Sequence, residues 1–157
     1  MNPKAVSAPL YNRDILALAV ENAQYPPLTD ADLHGSQRSA ICGSRVGLDL
    51  CLDDRGRIIK LGMKVEACAL GQASASLFAR HALGLDEAAM RQSRDQLWGW
   101  LRGEADGPSW TDFSVLAAVK DYPARHSAVM LPFDVAVLTL DHAPNSEGGT
   151  TEGSTTA

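Results

Sequence analysis

The stretch over residues 45–83 constrains the fold most, because it spells strand, turn, strand and helix with no linker before the helix. Along Arg45-Val46-Gly47-Leu48-Asp49-Leu50-Cys51-Leu52 the residues alternate. Val46, Leu48, Leu50 and Leu52 share one face and Arg45, Gly47, Asp49 and Cys51 the other, the period-two pattern of a half-buried strand. Asp53-Asp54-Arg55-Gly56 is a turn with glycine at its end, so the aliphatic run over residues 57–65 returns antiparallel. Glu66-Ala67-Cys68-Ala69-Leu70-Gly71-Gln72-Ala73-Ser74-Ala75-Ser76-Leu77 then passes directly into a helix that ends before Gly84. Its small residues predict close packing against a neighbour.

Cys68 stands just ahead of that helix. Open amide N–H groups and the positive end of the helix dipole favour a thiolate there, the form that attacks sulfur or binds metal. A lone cysteine is more often a small core residue, and position alone leaves both readings open. Hairpin arithmetic adds a second thiol. With the turn centred at about residue 54.5, position 68 falls opposite about position 41, which brings Cys42 and Cys68 to one edge of the sheet. Cys51 lies near the turn, on the polar face with Asp49, and reads as a bystander.

The remaining chain frames this unit. Asn12 caps a first helix reaching about Ala23, with Ile15, Leu16, Leu18, Ala19 and Val20 as its apolar stripe, and Tyr25-Pro26-Pro27 stops it. Residues 25–37, with Asp30, Asp32 and His34, read as a loop, either covering a ligand or simply solvated. Asp86 caps a helix over about residues 87–102, and Thr111 or Asp112 caps a short one through Val115, Leu116 and Val119. Tyr122-Pro123-Ala124-Arg125 introduces a last helix to about Leu140, in which Pro132 implies a kink or a late start. His126, near its beginning, is by default a satisfied boundary histidine. The expected architecture is α+β: a small antiparallel three-stranded sheet over about residues 38–65 with helices packed on it. Residues 1–143 form one domain, and the Gly/Ser/Thr-rich residues 144–157 form a disordered tail.

Composition excludes several roles. A net charge of −5 disfavours nucleic acid or an anionic membrane surface as partner. No apolar run is long enough to span a bilayer, and the first nine residues lack the apolar core of a secretion signal. Three cysteines, an odd number, suit a reducing cytoplasm better than a disulfide framework. There is no Gly-rich phosphate loop and no paired zinc-finger cysteine motif.

Taken together, the motifs resemble the iron–sulfur cluster assembly scaffold family of the IscU/NifU N-terminal type, most nearly its SufU branch. Leu10-Tyr11 with Ile15-Leu16 resembles the opening helix, and Cys42-Gly43 before the hairpin resembles the first cysteine motif. Ala67-Cys68-Ala69-Leu70-Gly71-Gln72-Ala73-Ser74-Ala75-Ser76 resembles the second. Tyr122-Pro123-Ala124-Arg125 with Leu131-Pro132-Phe133 resembles the segment around the third, and residues 95–120 resemble the insertion of the SufU branch.

The resemblance implies an α+β scaffold rather than an enzyme, a cysteine desulfurase as sulfur donor, and apo-protein acceptors. It implies a transient cluster of the [2Fe–2S] kind, or iron, as cargo, with zinc the lesser fit. Cys42 and Cys68 become sulfur acceptors and metal ligands, with His126 and Glu66 as the further donors to weigh. Two usual ligand positions are substituted. Ser44 stands where the family carries Asp, and Ala128 stands where it carries the third cysteine, or Ser127 if the alignment moves by one. A cluster wants four protein ligands and structural zinc also wants four. Two thiols therefore leave three arrangements open: two chains sharing one cluster as a homodimer, a weak metal site completed by other thiols or water, or a docking surface without metal. A sulfurtransferase partner of the desulfurase, or its metal-free regulator, is the alternative function.

Overall fold

The computed structural model describes residues 10–143; the expected tail over 144–157 lies outside them. Helix α1 (Arg13–Glu21) is capped by Asn12, whose side chain accepts from the Ile15 N–H. A three-stranded antiparallel sheet follows in the order β1 (Leu33–Arg38), β2 (Arg45–Leu52), β3 (Ile58–Glu66). Then come α2 (Ala69–Ala82), α3 (Glu87–Leu101), a long 3-10 run (Thr111–Asp121) and α4 (His126–Asp141). No described helix is long and apolar enough to cross a membrane.

The α+β class and the strand count are as the sequence implies; the first strand is not where it was expected. Residues 33–38 pair with β2, from Leu33 opposite Leu50 to Arg38 opposite Arg45, so the second half of the expected loop is a strand. Residues 39–44, expected as sheet, form the connecting turn. The physical reason lies in β1's weak pattern. Only Leu33 in Leu-His-Gly-Ser-Gln-Arg is apolar, and Gly35 is there because α4 packs so close that a Cβ would collide with Thr139. Helix packing, absent from the local sequence, makes this segment a strand.

The β2–β3 hairpin follows its pattern. Val46, Leu48 and Leu50 are buried, and Ile58, Leu61 and Met63 answer them from β3. At the turn, Asp53 accepts from the N–H groups of Arg55 and Arg57 and from Arg57 Nε, and Gly56 takes φ 79°. A bulge between Cys51 and Leu52 changes the register, so Cys51 faces Lys60 while Leu52 faces Ile58. Carried past its last pair, Arg45 opposite Glu66, the register sets Gly43 against Cys68, two residues from the expected position 41.

Helix α2 is buried on nearly all sides, which explains its composition. The Ser74 hydroxyl donates to the Val129 carbonyl of α4 at 2.6 Å, and that of Ser76 donates to the Leu18 carbonyl of α1 at 2.6 Å. Small serines thus tie two flanking helices while satisfying their own polar groups. Phe78, Phe113 and Phe133 form the aromatic centre with rings 5.3–5.6 Å apart. Neither Thr111 nor Asp112 caps an α-helix, contrary to expectation. The residue ahead of the 3-10 run is Trp110, and the Asp112 carboxylate is taken up by His81 Nε2 at 2.9 Å and by Arg80. Pro132 lies within α4, which is continuous around it from His126.

Candidate functional site

Three segments meet at the end of the sheet away from the hairpin turn. The β1–β2 turn carries Cys42, the β3–α2 junction carries Cys68, and the first turn of α4 carries Ser127 and Ala128. Gly43 at φ 75° makes the β1–β2 turn possible. Ser39 folds it: its N–H donates to Ser44 O at 2.7 Å, its carbonyl accepts from Gly43 N, and its hydroxyl accepts from the amides of Ile41 and Cys42. Helix α4 reaches the same turn through a 3.0 Å contact between Ser127 Oγ and Ser39 Oγ, 88 residues apart in sequence.

Cys42 is exposed as a residue, yet its sulfur lies 3.1 Å from Ser44 Oγ. Ser39 and Ser44 are only 7% and 5% exposed. Burial pushes the Cys42 thiol up. The hydroxyls of Ser39 and Ser44, the Ser44 backbone N–H and the Ser127 hydroxyl outweigh it and bring the thiol from 9.0 down to about 7. A substantial thiolate fraction at neutral pH follows.

Cys68 is the N-cap residue of α2, in extended backbone conformation at φ −66° and ψ 170°. Its side chain makes no capping hydrogen bond, so the first-turn N–H groups of α2 receive no side-chain partner from it. Its carbonyl accepts from Gln72 N, and Gln72 Nε2 donates to Ala67 O, which steadies the junction. Ala128 belongs to this side of the site. It is 1% exposed and packs against Gly71, where an added Cβ would lie 3.8 Å from the Ala128 methyl. The alternative positions for the third cysteine thus diverge: Ser127 contacts the Cys42 turn, and Ala128 packs under α2 one turn beyond Cys68.

His126 stands buried at the start of α4. It is 6% exposed, its Nε2 hydrogen-bonds to Val119 O at 2.9 Å, and Trp98 stands edge-on to its ring. Since a carbonyl only accepts, Nε2 carries the proton. Glu66, at the end of β3, pairs with Lys64 at 3.8 Å. Cys51 lies at the turn end of the hairpin, as its position implied. Among the described residues no group of three or more His, Cys, Asp or Glu side chains is gathered tightly enough to hold a metal ion.

A groove of about 470 Å³ opens beside Cys42, between α3 and α4. Ile41, Trp98 and Met130 supply its apolar lining, and Ser127, Arg94 and Asp134 its polar lining. Burial raises the Asp134 carboxyl, with Arg94 opposing the shift. Sequence reasoning missed this groove and the part of Ser39. The only sequence signal was three serines near cysteine positions, and nothing local marks Ser39 as meeting Ser127. A second hollow, about 440 Å³, lies over the outer sheet face between His34, Arg45, Asp49 and Lys64.

No protein-family model and no curated protein matches the chain. Solved structures do. A nitrogen-fixing NifU-like protein (N-terminal) from Brucella abortus is 30% identical with a TM-score of 0.77, the match covering 90% of this chain and 96% of that one. A putative iron–sulfur cluster assembly scaffold protein for the SUF system from Fervidobacterium islandicum is 20% identical with a TM-score of 0.76, covering 83% and 96%, and shares the fold. The cysteine turn, the hairpin, the cysteine-capped small-residue helix and the closing helix stand in the order the sequence motifs suggested, and the chain belongs to the NifU-like N-terminal family, the iron–sulfur cluster assembly scaffolds of the IscU, NifU and SufU type.

Proposed function

We propose that the chain is a non-enzymatic scaffold for iron–sulfur cluster assembly that takes sulfur from a cysteine desulfurase on Cys42 or Cys68 and assembles iron with it. The observation that carries this reading is the meeting of both cysteine segments and the first turn of α4 at one end of the sheet. That arrangement leaves Cys42 exposed and Cys68 half-buried at the same edge, as a carrier needs if it is to receive cargo and release it.

The donor set defines the form of the cargo site. One chain offers two thiols, with a serine at position 44 and no thiol at 127 or 128. A [2Fe–2S] unit wants four ligands. A cluster here therefore takes its remaining ligands from a second copy of the chain or from thiols of a donor or acceptor protein. Such incomplete ligation suits release to apo-protein acceptors, because less must be displaced. A sulfurtransferase partner of the desulfurase is the second reading. What favours it is the cluster of hydroxyl donors at Cys42, which serves sulfur acceptance directly.

Anaerobic reconstitution with iron, cysteine and a cysteine desulfurase, followed by iron and sulfide analysis and visible absorption, tests the proposal. A cluster lost in both Cys42→Ser and Cys68→Ser is the expected result, with one cluster per two chains if a homodimer shares it. A colourless chain without iron or sulfide would rule out the scaffold reading. Sulfur loading in that colourless chain would leave the sulfurtransferase reading standing.

A further inference from the structure

We propose that Ser39, Ser44 and Ser127 form a hydroxyl cradle that lets Cys42 take up sulfur with no metal ion at the site, so that sulfur loading precedes iron. The inference rests on the proposed sulfur-accepting role of the site and names the residues that position that step. It starts from polarity. The Ser39 oxygen accepts from two backbone amides, Ile41 N at 3.3 Å and Cys42 N at 3.4 Å. Ser127 Oγ is 3.0 Å from it. Either hydroxyl of this pair can be the donor, and in either sense the other keeps a proton that can turn toward Cys42. Ser44 stands on the other side, its buried hydroxyl 3.1 Å from the Cys42 sulfur. Once Cys42 is ionised its sulfur can only accept, so Ser44 turns its proton to it, and one hydroxyl of the Ser39–Ser127 pair joins while the other orients its neighbour.

This is the arrangement an anion-stabilising site uses, with donors fixed before charge arrives. A resident metal could perform the same task, but the positions that would complete a metal's ligand set are a hydroxyl and a methyl here. Neutral hydroxyls hold a sulfur anion by hydrogen bonding and bind a divalent cation poorly when un-ionised. The approach is open, since Cys42 is itself exposed and its neighbour Ile41 is 70% exposed.

The transfer balances without an added oxidant. The Cys42 thiolate attacks the outer sulfur of a donor protein's cysteine persulfide, and a bond forms between Cys42 Sγ and that sulfur. The donor's sulfur–sulfur bond breaks, and its electron pair leaves with the donor cysteine as thiolate. Cys42 then carries a perthiolate, whose anionic outer sulfur is the atom the cradle holds. One sulfane sulfur passes from the donor cysteine to the acceptor cysteine with no net redox change.

The test uses full-length protein stripped with a chelator, a cysteine desulfurase with cysteine, and mass analysis of the Cys42 peptide for one added sulfur atom. Expected is loading on Cys42 in the presence of chelator, slowed about tenfold by Ser44→Ala and slowed also by Ser39→Ala and by Ser127→Ala, with Ser44→Thr restoring it. Attachment at Cys68 in the same molecules is the internal reference, which a merely structural defect would lower in parallel. Loading only after zinc or iron is returned, or alanine variants that load like the native chain, would overturn the cradle and leave the sulfur-accepting function standing. No loading at Cys42 under any condition would overturn both. Should an alanine variant unfold, urea melts will show it, and Ser127→Thr then carries the comparison: a crowded Ser39 contact must slow Cys42 while sparing Cys68.

Discussion

The two ends of the β2–β3 hairpin are built in opposite ways. At the turn end, one aspartate satisfies the whole reversal from within five residues, through the amides of Arg55 and Arg57 and the Arg57 guanidinium. At the thiol end nothing is complete locally. Cys42 needs Ser44 beside it, Ser39 folded back onto it, and Ser127 brought in by a helix 88 residues on from Ser39. Local closure gives a turn whose polar groups find their partners within its own residues. Closure through tertiary contacts gives a site that exists only when the core is intact, and whose sulfur chemistry therefore reports on the core.

The largest test of that contrast is Phe133→Ala. Phe133 is fully buried and meets Phe78 and Phe113, so its loss should cost about 3–5 kcal/mol in denaturant unfolding. Cys42 should lose its lowered pKa as the destabilised chain unfolds. A cost below about 1 kcal/mol would break the claim that α4 is anchored by this cluster. Next comes Gly35→Ala, whose methyl would collide with Thr139 and push α4 off β1. A loss of about 1–3 kcal/mol is expected, partly recovered when Thr139→Ala is added.

A smaller effect concerns Cys42 alone. Its thiolate predominates above a pKa of about 7 and is lost below it, so iodoacetamide alkylation should reach half its maximal rate near pH 7. Ser39→Ala or Ser44→Ala should move that midpoint upward and slow labelling at neutral pH. An unmoved midpoint would show that the hydroxyls do not set it. The smallest effect is Asp53→Ala at the turn end, which should leave the Cys42 midpoint unchanged. The Asp53 carboxyl is held below its usual range, first by the Arg57 N–H. Its contribution is present at neutral pH and lost as pH falls through that lowered value, so the variant should flatten the acid side of the stability curve. A shifted Cys42 midpoint in this variant would mean the two ends are coupled.

The same contrast explains what the residues revealed in advance. Period-two alternation in β2, the turn from Asp53 to Gly56, the Asn12 and Asp86 caps and the small-residue helix after Cys68 are local signals, and each is legible. Strand β1 was not, since its place depends on α4 packing over Gly35. The 3-10 run at Thr111–Asp121 looks in sequence like a capped helix because Asp112 has the character of a cap, whereas in the fold His81 and Arg80 claim its carboxylate. Both candidate thiols were legible, one from a helix start and one from hairpin arithmetic. The partnership of Ser39 with Ser127 was not, because no periodicity links residues so far apart.

The bulge at Cys51 and Leu52 carries one more consequence. Eight residues of β2 lie between turn and thiols, roughly 26 Å of strand. Side chains on a strand alternate in phase, so adding or removing one residue in the 53–57 reversal would exchange the two faces of β3 against β2. The turn therefore works as a phase gauge. Its residue count, together with the bulge, decides that position 68 arrives opposite 43 instead of one step away with its side chain reversed. A site composed of distant segments is in this respect timed from the far end of the sheet, by residues that never touch sulfur.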